Sequence, residues 1–185
     1  MASARNLPED CQKFVEDSQN GSGASFSYGA SAAASCPDAN GSAVGSVSAV
    51  ASLGGANEII SLSATITNTV SKNESGGGFA GAQSSHGTTW YFNVIGGEVA
   101  YHLTGSLTND LPVGTNIELR EVGPPPQNLP GNTIAQIEGN GSIDESGILG
   151  IGRYLFSIGA GAFASDSGVS RTTQANGRLM IEAVP

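Results

Sequence analysis

Apolar and small residues recur at every second position over most of the chain. Phe26, Tyr28, Ala30, Ala32 and Ala34 share one parity, and Ser25, Ser27, Gly29 and Ser31 share the other. Val47, Ala49, Ala51 and Leu53 alternate with Ser46, Ser48 and Ser52. Ile60, Leu62, Ala64, Ile66 and Val70 alternate with Ser61, Ser63, Thr65, Thr67 and Thr69. Trp90, Phe92 and Val94 follow, then Val99, Tyr101, Leu103 and Leu107, then Ile117 and Leu119. Tyr154, Phe156, Ile158, Ala160 and Ala162 form a late run, and Leu179, Ile181 and Ala183 form the last. Successive side chains on a strand point to opposite faces, so this period of two predicts half-buried strands. Gly, Asn, Asp and Pro punctuate the runs. No long helix separates them, which excludes βαβ units. The pattern predicts an all-β fold: an antiparallel β-sandwich or jelly roll of eight or more strands.

Residues 1–22 read differently and form a separate N-terminal segment before a single domain over 23–185. Pro8 to Asp17 is charged, with Pro and acids in what would be a first helical turn, and it predicts a short helix or an irregular stretch. Three stretches predict loops: Ser71–Gly78, the proline run Gly123–Gly131, and Asp166–Arg171. Proline donates no ladder hydrogen bond, which keeps 123–131 out of a sheet interior.

Composition narrows the function. Gly, Ser and Ala supply about two-fifths of the 185 residues, and charged residues only 12%. Lys plus Arg is 7 against 16 Asp plus Glu, a net charge of −9. Such a chain is a poor ligand for nucleic acid or an anionic bilayer. It contains no apolar run long enough to span a membrane. Ser and Thr occupy positions where sheets usually carry Lys and Glu, so little charge blunts the strand edges. Edges are therefore expected to be covered or used for association. The segment holding Phe26, Tyr28, Ala30 and Ala32 alternates most cleanly and is the candidate assembly strand.

Cys11 and Cys36 lie outside any C-x-x-C motif and have no neighbouring histidine. A disulfide between them is expected, stapling the N-terminal segment to the first long strand and implying an oxidising, extracellular compartment. In the chain-entropy description a loop of about 26 residues is worth roughly 3.5 kcal/mol. The competing reading is a pair of free thiols in a cytosolic protein. Met1 to Arg5 carries no apolar signal core, which suits a mature or recombinant form.

Candidate chemistry is sparse. His86, in Ser84-Ser85-His86-Gly87, reads as a loop residue, and His102 as solvent-facing on its strand. No G-x-S-x-G elbow occurs. Neighbouring acids such as Asp144-Glu145 point to opposite faces of a strand and cannot share a proton. Glu98, Glu118, Glu121 and Glu138 are carboxylates that a glycosidase could pair, but nothing in the pattern selects them. No metal or cofactor is expected. Calcium is the ion best matched to Asp38–Ser42 and Asn140–Glu145, yet Asn-Gly in both is better read as a turn. Four N-x-S sequons, at Asn20, Asn40, Asn73 and Asn140, also fall at turns. Trp90 and Tyr91 are adjacent, so one must face out; Tyr91 with Asn93 is the candidate carbohydrate contact.

The second half also resembles a known family. Trp90-Tyr91-Phe92-Asn93-Val94, Tyr101-His102-Leu103-Thr104-Gly105-Ser106-Leu107, Ser146-Gly147-Ile148-Leu149 and Gly152-Arg153-Tyr154-Leu155-Phe156 follow a shared order. Together they are similar to the plan F-x-V, L-x-G-x-L, S-G-x-L-x-P-G-x-Y-x-L of exported bacterial β-sandwich proteins of the PEP-CTERM sorting class. The likeness spans roughly residues 24–185, with Ile151 where the plan has proline. The chain stops at Glu182-Ala183-Val184-Pro185, where such proteins run on into a membrane tail. The resemblance implies export and association with exopolysaccharide or a biofilm matrix, and it brings no catalytic signature. The expected function is a non-enzymatic structural protein of the cell surface or matrix, partnered by itself through strand addition or by extracellular polysaccharide. A secreted carbohydrate-binding module is the alternative, and a hydrolase ranks last.

Overall fold

The computed structural model describes the backbone of residues 2–7, 13–17, 25–36, 41–52, 58–72, 81–110, 114–124, 129–164 and 169–184. Side chains are described over 60–67, 69, 87–110, 114–124, 129–162 and 170–184. Every regular element among these residues is a strand. In chain order they are β1 (Ala2–Leu7), β2 (Lys13–Asp17), β3 (Ser25–Cys36), β4 (Gly41–Ser52), β5 (Glu58–Lys72) and β6 (Gly81–Val94). Then come β7 (Val99–Asn109), β8 (Asn116–Val122), β9 (Pro130–Glu138), β10 (Gly141–Leu149), β11 (Gly152–Ala164) and β12 (Val169–Ala183).

The strands form two antiparallel sheets packed as a β-sandwich. Sheet A runs β2-β1-β6-β11-β8-β9, and sheet B runs β10-β7-β12-β5-β4-β3. The described core is built from four strands of each: β6, β11, β8 and β9 against β10, β7, β12 and β5. The alternation read from sequence selects its residues. Leu103, Ile117, Leu119, Phe156, Ile158, Leu179 and Ile181 are fully enclosed. Trp90 stacks on its register partner Phe156 at 5.3 Å between centroids, and Phe92 on Tyr154 at 5.6 Å.

Across the middle of sheet B the inward row holds almost no side chain. Gly105 pairs with Gly177, which pairs with Ala64. A Cβ at Gly105 would lie 2.5 Å from Ile117 Cδ1 and 2.8 Å from the Asn176 carbonyl oxygen. A Cβ at Gly177 would lie 2.6 Å from Ile158 Cδ1. Two isoleucines of sheet A therefore press on bare backbone of sheet B. Their close fit locks the two sheets in one alignment, because packed interiors tolerate neither an added methyl nor a void.

One end of the sandwich is closed by a buried polar network. Asn109 Nδ2 donates to Thr115 Oγ1 at 2.9 Å. The Thr173 hydroxyl lies 2.9 Å from Asn109 Oδ1 and 3.0 Å from the Gly161 carbonyl, and its single proton serves one at a time. Asn140 clasps the backbone of Asn109, its amide donating to the carbonyl at 2.9 Å and its Oδ1 accepting from the N–H at 2.5 Å.

Several elements differ from expectation. Lys13–Asp17 is a strand, not a helical turn. Ten residues are too few to hold an isolated helix, and β1 offers a strand a ready ladder. His86 lies inside β6, opposite Ala160, because this stretch finds partners on both sides, β1 and β11. Residues 169–171 belong to β12, where Arg171 pairs with Val70. Asn140-Gly141 does not close a hairpin: β9 and β10 belong to different sheets, and the turn carries the chain across the sandwich. Pro130 opens β9, an edge strand, where its missing donor costs nothing. Cys11 and the side chain of Cys36 lie outside the described residues, as do those of Phe26, Tyr28, Ala30 and Ala32.

Gly105→Ala is expected to lower stability by about 1–3 kcal/mol through overpacking. Adding Ile117→Val should restore part of that loss. Urea unfolding of the two single variants and the double variant measures the coupling.

Candidate functional site

The end of the sandwich opposite the polar network carries the groove nearest to the predicted carbohydrate contact. β6 delivers Tyr91 and Asn93 to the outer face of sheet A, while Phe92 and Val94 turn inward. Tyr91 is 51% exposed, and Trp90 packs on Phe156 instead. The pair therefore divides as the alternation requires.

The neighbouring strand β11 brings Arg153 opposite Asn93. Its guanidinium carbon lies 5.0 Å from the centre of the Tyr91 ring, a cation–π contact. Beside this pair opens a groove of about 580 Å³. Its walls are Asn93, Gly152 and Arg153 on one side and Glu121–Pro124 with Leu129–Gly131 on the other. The second wall is built by the proline-rich connection. Gly123 N–H donates to the Leu129 carbonyl at 2.8 Å, closing the loop across its neck. Gly131 lets β9 start hard against β8, since a Cβ there would sit 2.7 Å from the Glu121 carbonyl oxygen.

Tyr154 props the same end from inside. Its hydroxyl donates to the Gly150 carbonyl at 2.9 Å and so holds the β10–β11 turn. Burial raises its pKa, and the charge of Glu121 raises it further. Tyr101 is raised in the same way, by burial first and Glu145 second. Both phenols stay protonated throughout the neutral range.

The groove is lined by a guanidinium, an amide and a carboxylate, and the exposed Tyr91 ring lies beside it under the Arg153 guanidinium. Such a set can bracket vicinal hydroxyls with donors and acceptors while an apolar face stacks on the ring. The sequence singled out Tyr91 and Asn93 together and named Glu121 only as one of four unpartnered carboxylates; it did not single out Arg153. The signal for Arg153 was its place one residue before Tyr154, on the parity opposite the core.

The other sequence candidates are dispersed. His102 faces solvent as expected, with Nε2 2.7 Å from Asp144 Oδ1. Glu118 is only 3% exposed and is ion-paired with Arg120. It also accepts from the Thr133 hydroxyl at 3.4 Å, so its carboxylate is already engaged. Glu138 pairs with Asn116 and Glu121 lies five positions further along β8. At about 3.4 Å per residue this is roughly 17 Å, beyond the 5–9.5 Å or so of a glycosidase pair. Glu98 precedes β7 in the other sheet. No cluster of three metal-ligating side chains occurs among the described residues. Asn140, a candidate calcium contact, spends its amide on Asn109. A second depression, of about 490 Å³, crosses the outer face of sheet B over Ala64, Gly177 and Gly105. It is rimmed by Ser63, Thr65, Thr104, Ser106, Asn176 and Arg178.

No family model, curated protein or solved structure matches the chain. The described residues contain no helix long and apolar enough to cross a membrane.

The raised tyrosine pKa values fix the sign of an alkaline effect. Folded Tyr101 and Tyr154 hold their protons more tightly than the unfolded chain does. The associated stability is complete below about pH 10 and falls as pH rises from there toward the folded values. Tyr154→Phe is expected to flatten this decline. At neutral pH it should cost about 1 kcal/mol, through the lost bond to Gly150. Urea midpoints collected from about pH 7 to about pH 11 check both effects.

Proposed function

We propose that this chain is an exported, non-enzymatic β-sandwich of a cell surface or extracellular matrix that holds polysaccharide in the groove beside Tyr91. The observation that carries the reading is the half-exposed Tyr91 ring with Arg153 above it and Asn93 and Glu121 in the adjoining walls. A half-exposed tyrosine offers an apolar ring face with a polar tip, a form suited to stacking on a sugar ring. The low charge, the Ser- and Thr-rich outer faces and the likeness to exported proteins of the PEP-CTERM class support the same setting. Neutral glycans fit better than polyanions, because the protein itself carries a net charge of −9.

A second reading, self-assembly by strand addition, is favoured by the position of β3. This strand lies at the edge of sheet B with β4 as its partner there. Its twelve residues, SFSYGASAAASC, include neither a charge nor a proline. Natural edges usually carry one of these to prevent pairing with another chain. The two readings are compatible, since the groove and β3 lie at different places on the fold.

Affinity electrophoresis through gels containing neutral soluble polysaccharides should retard the wild type. Tyr91→Ala is expected to weaken that retardation roughly tenfold, the loss of one stacking side chain. Unretarded wild type, or a variant retarded as strongly, would refute the glycan reading. For assembly, electron microscopy of purified protein should show fibres or regular oligomers that Ala32→Lys abolishes. Monodisperse wild-type particles of 18.5 kDa would rule the second reading out.

A further inference from the structure

The large apolar side chains exposed among the described residues are Tyr91, Ile95, Leu129, Ile148, Ile151 and Val184. The register places the five besides Tyr91 at one pole. Val94 pairs with Gly152 at the end of the β6–β11 ladder, so Ile95 and Ile151 are the next residues out on both strands. Leu149 and Ala183 both pair with Val99, which brings Ile148 and Val184 to the same end of sheet B. Val122 pairs with Pro130, which adds Leu129.

Ile95 and Ile151 stand furthest out, at 84% and 72% exposure. Each occupies a glycine-flanked turn that crosses from sheet A to sheet B. A Cβ built at Gly96, Gly97 or Gly150 would meet no atom within 4 Å, so the turns project into open space. They are nonetheless held: Gly96 and Gly97 have φ of 90° and 154°, and the Tyr154 hydroxyl anchors the Gly150 carbonyl. Among the described residues, the end that holds the polar network carries none of these exposed apolar side chains.

We propose that this pole docks on a neutral lipid bilayer, with Ile95 and Ile151 entering the boundary between headgroups and acyl chains. Three features choose the bilayer over a second copy of the chain. The tips are convex, and two convex tips meet over too little area for a stable dimer, which buries about 800 Å² on each partner. Two copies meeting tip to tip also bring two charges of −9 together with no strand ladder to offset the repulsion. A fluid bilayer deforms around separate points, and insertion of about 5–10 Å accommodates side chains while the turn backbone stays in the hydrated headgroup layer. The same negative charge requires a zwitterionic surface. This inference does not rest on the glycan reading, because the two residues that would enter the bilayer, Ile95 and Ile151, do not line the groove, and the ligand is different.

The test is co-sedimentation of the full chain with phosphatidylcholine vesicles. Wild type should pellet with the vesicles, and the double variant Ile95→Ser/Ile151→Ser should bind roughly tenfold more weakly or worse. Thermal unfolding verifies that the double variant remains folded. Adding phosphatidylserine should weaken wild-type binding. Ile95→Trp should retain binding and shift its emission to the blue when vesicles are added. Tyr91→Ala should pellet like wild type, which separates this result from failure of the glycan reading. Wild type remaining in the supernatant, a serine double variant that pellets equally, or an isoleucine-dependent dimer in lipid-free protein would each overturn the proposal.

Discussion

The two sheets are held in one alignment by the contact of Ile117 and Ile158 with the unadorned backbone at Gly105 and Gly177. This contact works in both directions. The isoleucines need the missing side chains to come close, and the glycines need the isoleucines to fill what would otherwise be a void. A strand slipped by one residue would put Thr104 or Asn176 under an isoleucine and bury an unsatisfied polar group. Register in β7 and β12 is thus set at their centres. Everything at the ends, including which residues project from the turns, follows from that central setting.

From this waist the sandwich diverges into two unlike ends. At one, Asn109, Thr115, Thr173 and Asn140 satisfy each other's hydrogen-bonding groups across strands of both sheets. Buried polar groups this well matched rigidify what they join. At the other, the turns are short, glycine-rich and apolar at their tips, and the proline connection folds back to form a groove wall. Tyr154 links core and surface there, its ring stacked on Phe92 and its hydroxyl on a turn carbonyl. Rigid support beneath a variable rim is the usual division between scaffold and binding loops.

Period-two alternation made the sandwich class and the core rows legible, because half-buried strands of Leu, Ile, Phe and Tyr announce themselves. It failed where inward positions are small or polar. β12 begins ten residues before Leu179, but its inward positions there are Thr173, Ala175 and Gly177, which carry little hydropathic signal. β9 was hidden behind prolines that suit an edge. Glu118 occupies an outward position yet is enclosed by Arg120 and Thr133, a burial no linear pattern reports. The site was half legible. Adjacent Trp90 and Tyr91 had to face opposite ways, whereas Arg153 joined them only through a pairing made more than sixty positions later in the chain.

The place of β3 at one lateral edge and of the groove at one pole has a geometrical consequence. If neighbouring molecules joined edge to edge, the direction of the added strand would decide how the poles are distributed. Antiparallel joining of β3 to β3 would turn one molecule over, giving a pair with a groove at each end. Parallel joining of β3 to β3 would set both grooves at one end and leave the other lined by the asparagine–threonine network. The first pair could bridge two polymer layers, while the second would coat only one.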